Sequence, residues 1–326
     1  MPTPVEVVVY IHGVSEDLRG KPHMTDYEAL HFGVAERNGA FPRRLVGVEW
    51  GWNDRPLGAD PRPDQLLTRA QRFLGGRVMP DLLGTDDFTL NPARAVINRM
   101  RALTLYGFGD MFYYTSAAGK AAVRDAVALQ IREGLADHAD LDAGEPVSLT
   151  LVGHSAGSVV ALDFLFALFN DVEDYQYIEP TADQPACDRE DADEPIAPLR
   201  SMIDKGELRV RRLVTLGSPI PMLACRSDAV VEILASGEEL PPERFGLTSQ
   251  FKKSAAPDAP IVTGARWINI WDRDDPISFP IAGLIAEDPT DRVAEDLHPD
   301  VSDSVTKAHT AYWRHKRVHR AIASRW

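Results

Sequence analysis

Gly153-His154-Ser155-Ala156-Gly157 carries the clearest chemical content of this chain. It follows the apolar run 146–152 (PVSLTLV) and precedes the apolar run that ends at Phe169. That context predicts a serine at the apex of a tight turn between a strand and a helix. Gly153 and Gly157 supply the small neighbours such a turn needs. The helix N-terminus behind Ser155 favours developing negative charge. A serine hydroxyl becomes nucleophilic only when a base takes its proton, and the base needs an acid to orient it.

Both partners are available further along. Asp272, Asp274 and Asp275 follow the strand-like segment RWINIW, just past a strand end, where open α/β sheets place their sites. Four histidines come later: His298, His309, His315 and His319. His315 and His319 stand among Arg314, Lys316, Arg317 and Arg320 and are expected on a solvated basic face. His298 precedes Pro299 in an acidic loop. His309 precedes or opens the last helix. His315 and His319 stand four apart within the basic run, but there is no HExxH and no paired Cys/His spacing, so no metal site and no cofactor is expected.

The elements that must hold these groups follow from hydrophobic pattern. Residues 5–11 form a nearly continuous apolar run, suited to a strand covered on both faces. Further strands are predicted at 44–52, 146–152, 209–216 and 266–271. Helices are predicted from Thr25 or Asp26 to about Asn38, over 117–138, after Ser155, and over 306–324. Val123, Val127, Ile131 and Leu135 form an i, i+4 stripe on the second of these. Alternating strands and helices predict an α/β class with a mainly parallel sheet and helices on both faces. A single domain over 1–326 is expected, interrupted by insertions at about 171–207 and 225–264.

The ordered set YIHGV, GHSAG, TLGSP, DDPIS and AHTAYW, between residue 5 and about 315, resembles the α/β-hydrolase superfamily and its lipase- and esterase-like serine hydrolases. The resemblance covers most of the chain outside the insertions. It implies an α/β-hydrolase fold, truncated at the N-terminal sheet edge because the first strand begins at residue 5. It implies Ser155 as nucleophile and His309 as base, which the aromatic three residues on resembles. Asp275, before Pro276-Ile277, is the implied acid, with Asp274 in reserve. The implied oxyanion hole is the backbone N–H of Ala156 and of Val14, with His12 and Gly13 ordering the loop and His154 in a supporting place. There is no HGGG run. The implied reaction is hydrolysis of a small carboxylic ester through an acyl-enzyme. Amidase, peptidase and thioesterase chemistry on the same triad remain open, as does a non-catalytic binding protein on the same fold.

Composition narrows the partners. Of 326 residues, 35 are Lys or Arg and 49 Asp or Glu, a net of −14 that argues against nucleic acid or an anionic bilayer. Residues 171–207 hold 12 acidic and three basic residues, a net of −9, leaving −5 elsewhere. The prolines in that insertion predict an extended acidic surface loop. The second insertion is a candidate lid. Trp52 is a possible pocket wall, Trp50 is expected to pack, and Phe108–Tyr114 either shapes the acyl pocket or packs. Arg273 offers either an anion contact or a local salt bridge. Cys187 and Cys225 form no CxxC pair, the N-terminus lacks a signal pattern, and no run approaches a membrane span, which together predict a cytoplasmic location without stable membrane anchoring.

Overall fold

The computed structural model describes residues 3–13, 23–50, 114, 117–169, 195–224, 228–241, 267–286, 293–302 and 305–326. Its centre is a six-stranded, all-parallel sheet. In chain order the elements are β1 (Val5–Ile11), α1 (Met24–Ala35), β2 (Arg44–Val48), α2 (Ala117–Ala136), β3 (Val147–His154), α3 (Ala156–Phe169), α4 (Ala197–Asp204), β4 (Leu208–Leu216), α5 (Ile220–Ala224), α6 (Asp228–Ala235), β5 (Trp267–Ile270), β6 (Ala294–Leu297), α7 (Val305–Ala311) and α8 (Lys316–Ala323). A 3₁₀ turn covers Ala282–Leu284. The strand order is β2-β1-β3-β4-β5-β6.

Alternation along β1 builds two cores. Val5, Val7, Val9 and Ile11 face α2 and α3, while Val8 and Tyr10 face α1 and α8. Both faces are thus covered, which is why β1 reads as an unbroken apolar run. Helix α3 is buried around nearly its whole circumference and carries one acid, Asp163, whose Oδ1 meets Lys120 Nζ of α2 at 3.0 Å. A buried charge needs such a partner. The 123/127/131/135 stripe of α2 is buried.

Several boundaries differ from the sequence expectation. The second strand stops at Val48 rather than running to residue 52. The C-terminal helix is two helices, because Tyr312 and Trp313 both turn inward and His315 adopts an extended conformation (φ −81°, ψ 122°). His319 does not lie on a solvated face. It is buried, packs against Gly33 of α1, and its Nε2–H donates to Trp313 O at 2.9 Å. Strand β6 has no apolar signature because three of its four residues (Glu295, Asp296 and Leu297) are only half-buried. Part of the acidic insertion is helical: α4 buries Leu199, and Arg200 Nε donates to Ala167 O at 2.8 Å. In the second insertion, Val230 of α6 joins the main core and Leu240 bridges to Ile285. The rest of both insertions, with Cys187 and Cys225, lies outside the described residues. Among the described residues no helix is long and apolar enough to cross a membrane.

Candidate active site

The C-terminal ends of the strands are stitched in series. Ser155 N donates to Leu216 O (2.9 Å), Gly217 N to Ile270 O (3.0 Å) and Trp271 N to Leu297 O (3.1 Å). The segments after β3, β4 and β5 therefore leave the sheet side by side. Ser155 stands between β3 and α3 with φ +52°, a left-handed conformation that costs a serine roughly 1–2 kcal/mol. Its carbonyl accepts the Ser158 N–H (3.0 Å) and the Ser158 hydroxyl, whose oxygen in turn lies 2.8 Å from Ser218 Oγ. Three glycines make room for the turn. A Cβ on Gly153 would stand 2.5 Å from Gly157 O, and one on Gly157 would stand 2.2 Å from His12 O. A Cβ on Gly13 would stand 2.6 Å from Ser155 Cβ and 3.2 Å from its Oγ. The backbone after β1 thus lies directly on the serine. Ala156 is the first residue of α3, so its N–H has no partner within the helix.

Asp275 and His309 form a buried pair. His309 Nδ1 donates to Asp275 Oδ2 at 2.8 Å; the imidazole keeps 10% of its surface and the carboxylate none. Oδ2 also accepts the Tyr312 hydroxyl at 3.0 Å, and Oδ1 accepts the Ile277 N–H at 3.2 Å. Burial works to raise the Asp275 pKa. The hydrogen bond and charge of His309, then the donors from Ile277 and Tyr312, outweigh it and hold the carboxyl below its ordinary value. Gly217, at φ +56°, joins the pair to the serine's strand neighbour: a Cβ there would stand 3.1 Å from Asp275 Oδ2 and 3.4 Å from His309 Cε1. His154, next to Ser155, places its ring 4.9 Å from that of His309 and its Nε2–H donates to the His309 carbonyl at 2.7 Å. Burial and the neighbouring His309 lower the His154 pKa to about 3, so it is a neutral donor.

The other aspartates of the loop have different duties. Asp272 is buried, with its carboxylate on the N–H groups of Asp274 (2.9 Å) and Val301. Asp274 is half-buried and its Oδ2 lies 4.0 Å from Arg273 Nε, a local contact on exposed surface. His298 accepts the Arg273 N–H at 3.3 Å and lies 3.5 Å from Asp300.

His12 is fixed at both ring nitrogens. Nδ1–H donates to Gly13 O, and Nε2 accepts the Trp50 N–H at 3.1 Å. Trp50 Nε1–H donates to His12 O at 2.6 Å. Burial, then His23, keep the His12 pKa well below its usual value. His12, His23 and Glu49 bring potential metal-ligand atoms within 4.8 Å of one another. The two imidazoles, however, stack at 3.8 Å with planes 16° apart, and both nitrogens of His12 are engaged. In-plane lone pairs on stacked rings do not converge on one ion, so the cluster does not fit a metal in this arrangement. Tyr114 is buried, its ring centroid 6.1 Å from that of Trp50. Val14, Trp52 and residues 108–113 lie outside the described residues.

Sequence reasoning passed over Tyr312, Ser158 and Ser218. Tyr312 alone left a signal, as the aromatic three residues after His309. Comparison with protein-family models and with curated proteins finds no match for the chain.

Proposed function

We propose that the protein is a serine hydrolase of the α/β-hydrolase fold that cleaves carboxylic esters through an acyl-enzyme. One observation carries the reading: a buried Asp275–His309 pair whose histidine carbonyl is held by His154, the residue before a serine in a left-handed turn at a helix N-terminus. The all-parallel sheet with these groups at its strand ends supports the fold. Ser155 attacks the ester carbonyl while His309 takes its proton through Nε2. Asp275 keeps Nδ1 protonated and stabilises the imidazolium. The Ala156 N–H is a donor for the oxyanion, and Val14 is the proposed second; each such donor is worth roughly 3–4 kcal/mol of barrier. His309 then protonates the leaving alkoxide. Water, deprotonated by the same imidazole, cleaves the acyl-serine bond and releases the acid.

Labelling with a fluorophosphonate tests the serine. The wild type is expected to react stoichiometrically, and Ser155→Ala to lose both labelling and turnover of a p-nitrophenyl ester. Full turnover by Ser155→Ala would sink the reading.

A further inference from the structure

Asp275 Oδ2 is shared. It accepts His309 Nδ1–H at 2.8 Å and the Tyr312 hydroxyl at 3.0 Å, so one oxygen serves the base and a phenol together. The phenol has one proton, and the charged acceptor takes it. Ser278 Oγ lies 3.3 Å from the Tyr312 hydroxyl, a longer second acceptor for the same proton. The result is a phenol set between Ser278 and Asp275, with Asp275 met from the other side by His309. Tyr312 is buried, and its ring passes where a Cβ on Gly217 would stand, 2.9 Å from Cε2. The glycine thus leaves the space the phenol fills.

We infer that Tyr312 is a positioning residue for the base: its hydroxyl holds the Asp275 carboxylate toward His309 and, by drawing on the shared oxygen, weakens the pull of that carboxylate on the imidazolium. The inference rests on the hydrolase reading for its catalytic meaning, though the effect on His309 stands apart from any substrate. Burial and the adjacent Asp275 push the Tyr312 pKa far up, which keeps the phenol protonated as a donor at every working pH. The other titratable groups around the cluster are His154 from β3, His12 from the loop after β1, His23 before α1, and Asp272 from the acid loop. Burial keeps His154 and His12 neutral at the pH at which a base works.

The sign follows from charge. Without the phenol, more negative charge on Oδ2 faces the imidazolium, so protonated His309 is stabilised and its pKa rises. Tyr312→Phe should therefore move the acid limb of kcat/KM for a p-nitrophenyl ester upward by roughly 0.5–1 pH unit. The His309 imidazole resonance, identified by its loss in His309→Asn, should titrate upward by a similar amount. Ser278→Ala, which removes the competing acceptor and leaves the Tyr312 proton wholly to Asp275, should give a smaller shift of the opposite sign. If Tyr312→Phe fails to fold, the Ser278→Ala titration decides alone. Unmoved titrations in folded variants, or a uniform fall in kcat with no change in the profile, would overturn the inference. A shifted His309 resonance in a protein that turns over no ester would uphold the inference and remove the hydrolase reading instead.

Discussion

Gly217 is the residue on which the two halves of the proposed catalytic apparatus meet. Its amide bonds β5, its predecessor accepts the Ser155 N–H, and its open α-carbon faces Asp275, His309 and Tyr312. Alanine there meets two separate penalties. At φ +56° a Cβ is disfavoured by roughly 1–2 kcal/mol. It would also stand 2.9 Å from the Tyr312 ring and 3.1 Å from the Asp275 carboxylate, pushing both. Displacement of about 1 Å in a catalytic group costs on the order of 100-fold in rate. Gly217→Ala is thus expected to lower kcat by that order while lowering the melting temperature only modestly; steady-state kinetics and a thermal melt separate the two. The importance of Gly217 is not visible in TLGSP itself, where the glycine reads as an ordinary strand ending. Ser155 and Ala156 were legible because strand, turn and helix are all local in sequence. Asp275 stood apart from Asp274 and Asp272 only through the resemblance, by the Pro276-Ile277 that follows it; what distinguishes the three physically is which oxygen meets which distant donor.

At the scale of elements, α1 and α8 pack through a glycine that helix propensity would mark as a defect. Gly33 lies within α1, and replacing a helical glycine by alanine ordinarily gains about 1 kcal/mol. Here the added methyl would stand 2.1 Å from His319 Nδ1, on a ring held by Trp313 O. Overpacking of this kind costs roughly 1–3 kcal/mol, so Gly33→Ala should destabilise the protein. Adding His319→Ala to it should cost less than the sum of the two single changes, which denaturant titration of the four proteins would measure. The basic neighbours of His319 made it look solvated, and only the facing glycine reveals where its ring goes. Strands β1, β3 and β4 were legible because burial on both faces leaves runs of Val, Leu and Ile. Strand β6 was not, because Asp296 is spent on bonding Asn269 Nδ2 and the N–H groups of Ile281 and Ala282, which gives the strand a polar sequence. The break between α7 and α8 contains neither glycine nor proline. It exists because two consecutive aromatics both find the core, a tertiary demand that overrides the local pattern.

Across the whole molecule, several histidines are buried and neutral. Burial, first of all, lowers His31 to about 4 and His154 to about 3, and it lowers His12 and His319 as well. Each is a base whose folded pKa lies below its unfolded value of about 6.5. The unfolded chain therefore binds more protons as pH falls, and stability that is complete above pH ~6.5 is lost below it. Each group contributes a slope of up to about 1.4 kcal/mol per pH unit between 6.5 and its folded value. Asp275, lowered by its donors, adds a loss in the same direction at lower pH. Thermal melts should show a plateau above neutrality and a steep decline from pH 6 to 4, shallower in His31→Gln; a flat profile over that span would contradict the burial of these rings. The stitched strand ends have a further bearing, on local opening. Ser155, Gly217 and Trp271 have amides locked into the sheet ladder, whereas His309 rides on a seven-residue helix tied down by His154, Asp275 and its neighbour Tyr312. Amide exchange should be slower by roughly tenfold or more at the three strand-end positions than in α7. In the proposed mechanism the nucleophile would then keep a place set by the sheet, while the base rides on the element that opens more readily.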